Sequence, residues 1–326
     1  MMDISSNYVL IIGSSNMDFN IYLDRLPQPG ETVTGGKFKQ YLGGKGANQA
    51  VACQRSGSQT IFIGKIGMDI FGEQMISQLV KEGIDASHIF RDPKESSGIA
   101  FIVIDKQGEN IISVAPGANF NLTPEDVRKK ENIIKNASVL IVQMEIPIET
   151  ILEIFEIANT GKVIKILNPA PLKPIPLEVL KKLDLIIPNE GELFRLNSLL
   201  KLKPLPDDPK KRILLASKNI SELGVKNIIT TLGPKGAVIY QIEENFFMKL
   251  PAFKVKAIDT VGAGDCFNGV LASKLSQGEN LINSVKYAIS AASIAVTKTG
   301  AQESIPFKHE IEMRFNEYNK SLKGDE

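Results

Sequence analysis

At 326 residues the chain has room for one large or two ordinary domains, and 43% hydrophobic residues suffice for a substantial core. Its 38 Lys and Arg nearly balance 37 Asp and Glu, which argues against bulk-charge recruitment of nucleic acid or an acidic membrane surface. Cys53 and Cys266 lie far apart in helical patterns, and the two histidines, His88 and His309, sit among polar residues; this argues against a disulfide framework, a serine-hydrolase triad and a two-His metal site.

The start, MMDISSNYVLIIGSSN, has no basic n-region, and its apolar run stops at Gly13. No later stretch approaches the roughly 20 apolar residues that span a bilayer, so the expected location is the cytoplasm. In chain order, apolar runs without polar alternation fall at 9–12 (VLII), 60–67 (TIFIGKIG), 139–143 (VLIVQ), 163–167 (VIKIL), 185–188 (LIIP) and 228–233 (IITTLG). Such runs suit parallel strands buried on both faces. Helical patterns lie between them at Gly46–Arg55, Phe71–Glu82, Pro147–Asn159 and Lys210–Leu223, and three more follow at Asp265–Gln277, Leu281–Val296 and Lys308–Leu322. The predicted product is an α/β fold: a doubly wound, mostly parallel sheet flanked by helices. Residues 18–42 and 97–115 instead alternate apolar and polar positions around turn signals such as Asp105-Lys106-Gln107-Gly108. They predict a separate small sheet, either a lid over the strand ends or a surface that pairs with another subunit. The Pro-rich, charged stretch 201–212 reads as a solvated loop, and the whole of 1–326 reads as one domain.

The run Asp259-Thr260-Val261-Gly262-Ala263-Gly264-Asp265 is the sharpest local signal. Gly262 and Gly264 free backbone N–H groups to point outward, and the following helix adds the positive end of its dipole, as an anion site requires. Asp265 is negative at that same end. It either caps the helix or, beside a phosphate that it would otherwise repel, receives the proton of an attacking hydroxyl, which is the division of labour in phosphoryl transfer. No Walker A sequence accompanies it, since Gly46 rather than Ser or Thr follows Gly44-Lys45.

LGGKGANQAVA at 42–52 together with DTVGAGDCFNG at 259–269 resembles the paired signatures of the ribokinase family of carbohydrate kinases, and the likeness runs from Gly13 to Gln302. The resemblance implies ATP-dependent phosphorylation of D-ribose at O5, with Asp265 as general base and the Gly262, Ala263 and Gly264 amides stabilising the transferring group. It implies that Asn16, Asp18, Gly43, Gly44, Lys45, Asn48 and Glu145 hold the sugar, Lys45 also steadying phosphoryl charge, and that Asn189 and Glu192 organise Mg²⁺ and phosphates. Thr231, Gly233 and Gly236 would meet the nucleotide beside Gly264. A monovalent cation, K⁺, would be held by Asp259 with backbone oxygens of Val261, Ala295, Lys298 and Gly300, plus Ser304. Each of these residues also has an ordinary role: Asn16 and Asp18 as turn formers, Asn189 as a helix cap, Asp259 as a turn closer. A homodimer through the lid strands is expected. The alternatives are another sugar or nucleoside kinase of the family, fructokinase-like, or a non-catalytic sugar-binding regulator.

Overall fold

The computed structural model describes residues 7–324. In chain order its strands are β1 (Val9–Ile12), β2 (Asn16–Tyr22), β3 (Lys37–Gly43), β4 (Thr60–Ile63), β5 (Lys65–Gly67), β6 (Phe90–Asp92) and β7 (Gly98–Ile104). There follow β8 (Asn110–Ala115), β9 (Val139–Gln143), β10 (Ile164–Asn168), β11 (Leu185–Ile186), β12 (Asn227–Thr231), β13 (Ala237–Gln241) and β14 (Phe246–Leu250). The helices are α1 (Lys45–Arg55), α2 (Ile70–Lys81), α3 (Pro124–Arg128), α4 (Glu131–Lys135), α5 (Ile148–Ala158) and α6 (Leu177–Leu180). Beyond them come α7 (Glu190–Leu199), α8 (Pro209–Ser221), α9 (Ala263–Ser276), α10 (Leu281–Ala295) and α11 (Lys308–Gly324).

The main sheet runs in the order β14-β13-β12-β11-β10-β9-β1-β4, parallel from β12 to β4. β1 is apolar and buried at every position, and its neighbour β9 is so up to Gln143, because helices cover both faces. In β1, Leu10 and Ile12 enter one core cluster while Val9 and Ile11 enter the other. The predicted mostly parallel sheet is thus observed. Two antiparallel strands, β13 and β14, extend it beyond the sequence reading. The run at 60–67 is not one strand: it breaks at Gly64, β4 staying in the main sheet and β5 pairing with β6. A side chain on Gly64 would stand 2.8 Å from the Gly13 carbonyl oxygen, so the chain can turn there only without one.

Strands β2, β3, β7 and β8, from the segments 18–42 and 97–115, form a separate four-stranded sheet in the order β3-β2-β7-β8. β2 pairs antiparallel with β3 and parallel with β7. One face of this sheet stacks Phe19 between Phe38 and Phe101, both of which are exposed. The opposite face carries Asp18 and Asn20.

The stretch 201–212 is a largely exposed loop up to α8, as its composition predicts, and is anchored at a few points. Leu202 and Leu205 pack against the core, the Lys203 carbonyl accepts from Asn197 (3.1 Å) and Asn219 (3.2 Å), and its last residues begin α8 behind an Asp208 cap. Cys53 and Cys266 are free and buried. No helix among the described residues is long and apolar enough to cross a membrane.

Candidate active site

Strand order reverses between β9 and β1, and the crevice outside the strand C-termini at such a point is where an open α/β sheet takes a ligand. Chain segments far apart in sequence are stitched together there. Glu145, just past β9, accepts from the Ser14 hydroxyl just past β1 and from the backbone N–H of Lys45 at 3.1 Å. Asn16 is buried, and its Oδ1 accepts from Asn119 Nδ2 at 2.8 Å. Asn119 in turn takes the Ser15 N–H on its own Oδ1 at 3.0 Å, clamping the turn after β1.

The glycines between β3 and α1 serve close approach. A Cβ on Gly43 would lie 2.1 Å from Asp18 Oδ2, so the missing side chain makes the space that the carboxylate occupies. Gly44 caps α1 at φ 88°, and a Cβ there would lie 2.7 Å from the Asn16 nitrogen; only glycine meets both conditions. Burial foremost, then the negative charges of Glu145, Asp265 and Glu303, push the Asp18 carboxyl up to about 7. Lys45 supplies the opposing charge: Asp265 foremost raises its ammonium against the opposing effect of burial, with Glu145 and Glu192 adding to the rise.

Asp265 does not serve as the side-chain cap of α9. Gly262, at φ 72°, caps α9, and no side chain caps this helix. Asp265 is the third residue of α9; it is buried, its Oδ2 accepting from Asn48 Nδ2 at 3.1 Å and its Oδ1 from Gln49 Nε2 at 3.0 Å. Both oxygens therefore turn toward α1 rather than onto the N–H groups of their own helix.

A cleft of about 220 Å³ joins Lys45, Gly262, Gly264 and Asp265 with Asn168, Asn189, Glu192 and Thr231. Asn189 and Glu192 form a capping box: Asn189 Oδ1 accepts from the Glu192 N–H and Glu192 Oε2 from the Asn189 N–H, each at 2.8 Å. The helix-capping role foreseen for Asn189 is therefore real. Burial foremost raises the Glu192 carboxyl. Gly233 and Gly236 bracket the turn after β12, outside the residues that line this cleft.

Asp259 ties two loops, its Oδ1 accepting from the Val261 N–H and its Oδ2 from the Gly300 N–H, both at 3.0 Å. The Val261 contact is the local turn closure expected of it, whereas Gly300 lies a whole helical pair away. Ala295 ends α10, the Lys298 ammonium turns to Glu310 at 2.8 Å, and the Ser304 hydroxyl donates to the Ala301 carbonyl at 2.8 Å. Gln302, in the same loop, is 3% exposed with its Oε1 buried and unpartnered among the described residues. No cluster of three or more His, Cys, Asp or Glu side chains among the described residues could hold a metal ion.

The sequence reading missed Gln49, Asn119 and Ser14. For Gln49 a signal existed: an Asn-Gln pair amid Ala47, Ala50, Val51 and Ala52 places amides on a helix otherwise fit for burial.

The pfkB family carbohydrate kinase pattern matches residues 6–308. The chain is 38% identical over 308 residues to the ribokinase of Staphylococcus aureus (strain COL), covering 94% of this chain and 99% of that protein. It is 35% identical over 311 residues to the deoxyribokinase of Salmonella typhi, covering 95% and 98%. The structure of Arabidopsis thaliana ribokinase complexed with ribose and ATP superposes with a TM-score of 0.88 at 28% identity, covering 95% of this chain and 99% of that one.

Proposed function

The chain belongs to the pfkB family of carbohydrate kinases, as an enzyme of its ribokinase type, and we propose that it transfers the γ-phosphoryl group of ATP to O5 of D-ribose. One observation carries the chemistry: a carboxylate held by two amides, Asp265, stands in a cleft with a lysine and the glycine-led start of a helix. Ribose is favoured because ribokinases match over nearly the whole chain, one of them in a structure with ribose and ATP.

In this reading Asn16, Asp18, Gly43, Gly44, Asn48 and Glu145 hold the sugar, carboxylates accepting from hydroxyls and amides doing either. Asp265 takes the O5 proton as O5 bonds to the γ-phosphorus. The bond from that phosphorus to the β-bridging oxygen breaks, and ADP leaves. Backbone N–H groups at Gly262–Gly264 and the α9 dipole meet the developing negative charge, and Lys45 lies between the carboxylates and the phosphates. Thr231, Gly233, Gly236 and Gly264 border the nucleotide. Positioning carries most of the acceleration.

Two cations fit residues present. Glu192, raised by burial at the cleft wall, gains from a nearby cation, and with Asn189 it would hold a hydrated Mg²⁺ that shields phosphate charge. The Asp259 loop offers one carboxylate, the Ser304 hydroxyl and backbone oxygens at Val261, Ala295, Lys298 and Gly300. This is a hard-oxygen set suited to K⁺, and the unpartnered Gln302 Oε1 lies in the same loop. K⁺ would brace the loop before Gly262.

The four-stranded sheet would act as a lid that excludes water, its Asp18 face toward the sugar and its Phe38–Phe101 face joining a second copy in a homodimer. ADP release with ATP and a panel of ribose, 2-deoxyribose, fructose and adenosine tests the substrate assignment. Ribose should give the highest kcat/KM. Preference for 2-deoxyribose would move the protein toward the deoxyribokinase it resembles, and binding of ribose and ATP without ADP release would make it a regulator.

A further inference from the structure

Gln49 is fully buried on α1, and its side-chain amide makes three hydrogen bonds. Nε2 donates to Asp265 Oδ1 at 3.0 Å and to Asn168 Oδ1 at 3.1 Å, while Oε1 accepts from Gln143 Nε2 at 2.6 Å. A primary amide has two N–H donors, and both are spent on these two oxygens.

Which end of the amide faces Asp265 is decisive, since a carbonyl oxygen there would repel the carboxylate. The polarity is fixed from outside. Asn168 Nδ2 donates at 2.9 Å to the backbone carbonyl of Ile187, an atom that can only accept. Asn168 must therefore present its oxygen to Gln49, and Gln49 must answer with the same nitrogen that reaches Asp265. At the other end Gln143 supplies the matching N–H, its own Oε1 resting where a side chain on Gly13 would stand, 1.9 Å from that Cβ position. Four side chains and one backbone carbonyl thus form a chain with a single allowed direction.

We propose that Gln49 is a positioning residue for phosphoryl transfer: it holds one oxygen of Asp265 as Asn48 holds the other, so that the remaining lone pairs aim at the acceptor hydroxyl. The proposal rests on Asp265 being the base. A carboxylate free to rotate about χ1 and χ2 would spend most of its time misaligned, and a misplacement of about 1 Å costs on the order of 10²-fold in rate.

The test uses Gln49→Met, close in volume and without donors, and Gln49→Glu, which sets an oxygen where the donor stood. Both are made in the parent and in Asp265→Asn, with folding followed by circular dichroism and urea midpoint. Gln49→Met should lower kcat by about 30-fold or more while KM for ribose and for ATP each change less than about 3-fold. In the Asp265→Asn background the same substitution should change the residual kcat by less than about 3-fold, because the group it positions is gone. Gln49→Glu should regain kcat as pH falls from about 9 to about 6, when the introduced carboxyl can again donate a proton. A kcat for Gln49→Met within about 3-fold of the parent overturns the proposal. So do losses that multiply in the double variant, or, if Gln49→Met does not fold, a flat pH response of Gln49→Glu. Near-normal kcat in Asp265→Asn alone would instead remove the base assignment on which the proposal stands.

Discussion

Asn48 and Asp265, 217 positions apart, meet where Nδ2 donates to Oδ2 at 3.1 Å, so the two glycine-rich signatures of this chain are two halves of one site. Helices α1 and α9 begin beside each other, and each brings a glycine with positive φ at its start, Gly44 at 88° and Gly262 at 72°. The lysine of one and the aspartate of the other then share a cleft.

That cleft makes Gly264 informative. A Cβ there meets nothing within 4 Å, and its φ is not positive, so Gly264→Ala should leave the melting temperature unchanged or raise stability by up to about 1 kcal/mol. The methyl would project into the space assigned to the phosphates. We expect kcat/KM for ATP to fall by roughly 10-fold or more. A well-folded variant with unaltered ATP kinetics would put the phosphates elsewhere.

The Asp18 carboxyl, pushed up to about 7, gives a pH signature. Its folded value lies above the unfolded one, so its contribution to stability is complete below the unfolded value near 4 and is lost as pH rises through 7. Asp18→Asn should therefore stabilise the ligand-free protein at pH 8 by roughly 2 kcal/mol, the gain vanishing near pH 4. In the parent, KM for ribose should drop as pH rises from about 6 to about 8, because the ionised carboxylate is the better acceptor. Equal urea midpoints of variant and parent at both pH values would refute the burial argument.

The Asp259 tether predicts activation by K⁺ over Na⁺. Turnover should rise several-fold on replacing Na⁺ with K⁺, and Asp259→Ala should abolish that response along with much of the activity, since the carboxylate also anchors the Val261 and Gly300 amides. Identical rates in the two salts would leave Asp259 as a tether between the Val261 and Gly300 loops alone.

Phe38 and Phe101, 58% and 53% exposed on one face of the small sheet, predict self-association. Analytical ultracentrifugation should give a dimer, and Phe101→Glu should shift it toward monomer. A parent that sediments as a monomer at every concentration would assign that face another role.

Much of this was legible because apolar runs such as VLII and VLIVQ have one solution, burial on both faces of a parallel sheet, and both core clusters take their share of β1. β14 was not, since it lies at the sheet edge with only Leu250 buried, and β13 was passed over although Ala237–Tyr240 are buried. The site residues stood out where chemistry and glycine coincide, at 43–45 and 262–265. The surroundings of Asp265 were not legible, because its partners, Asn48 and Gln49, belong to a helix that precedes it by more than two hundred residues. Gln49 and Asn119 act through partners remote in sequence, and a lone amide in a helix or turn carries no mark of what it will reach.

Asp265→Asn keeps the shape of the side chain while removing the base, and so tests with the least ambiguity whether Asp265 takes the proton of the ribose hydroxyl. Steady-state kinetics with ribose and ATP should show kcat reduced by about 10³-fold or more, while calorimetric titration shows ribose still binding with affinity within about 5-fold of the parent. A variant that binds ribose and retains a kcat near that of the parent would contradict the account.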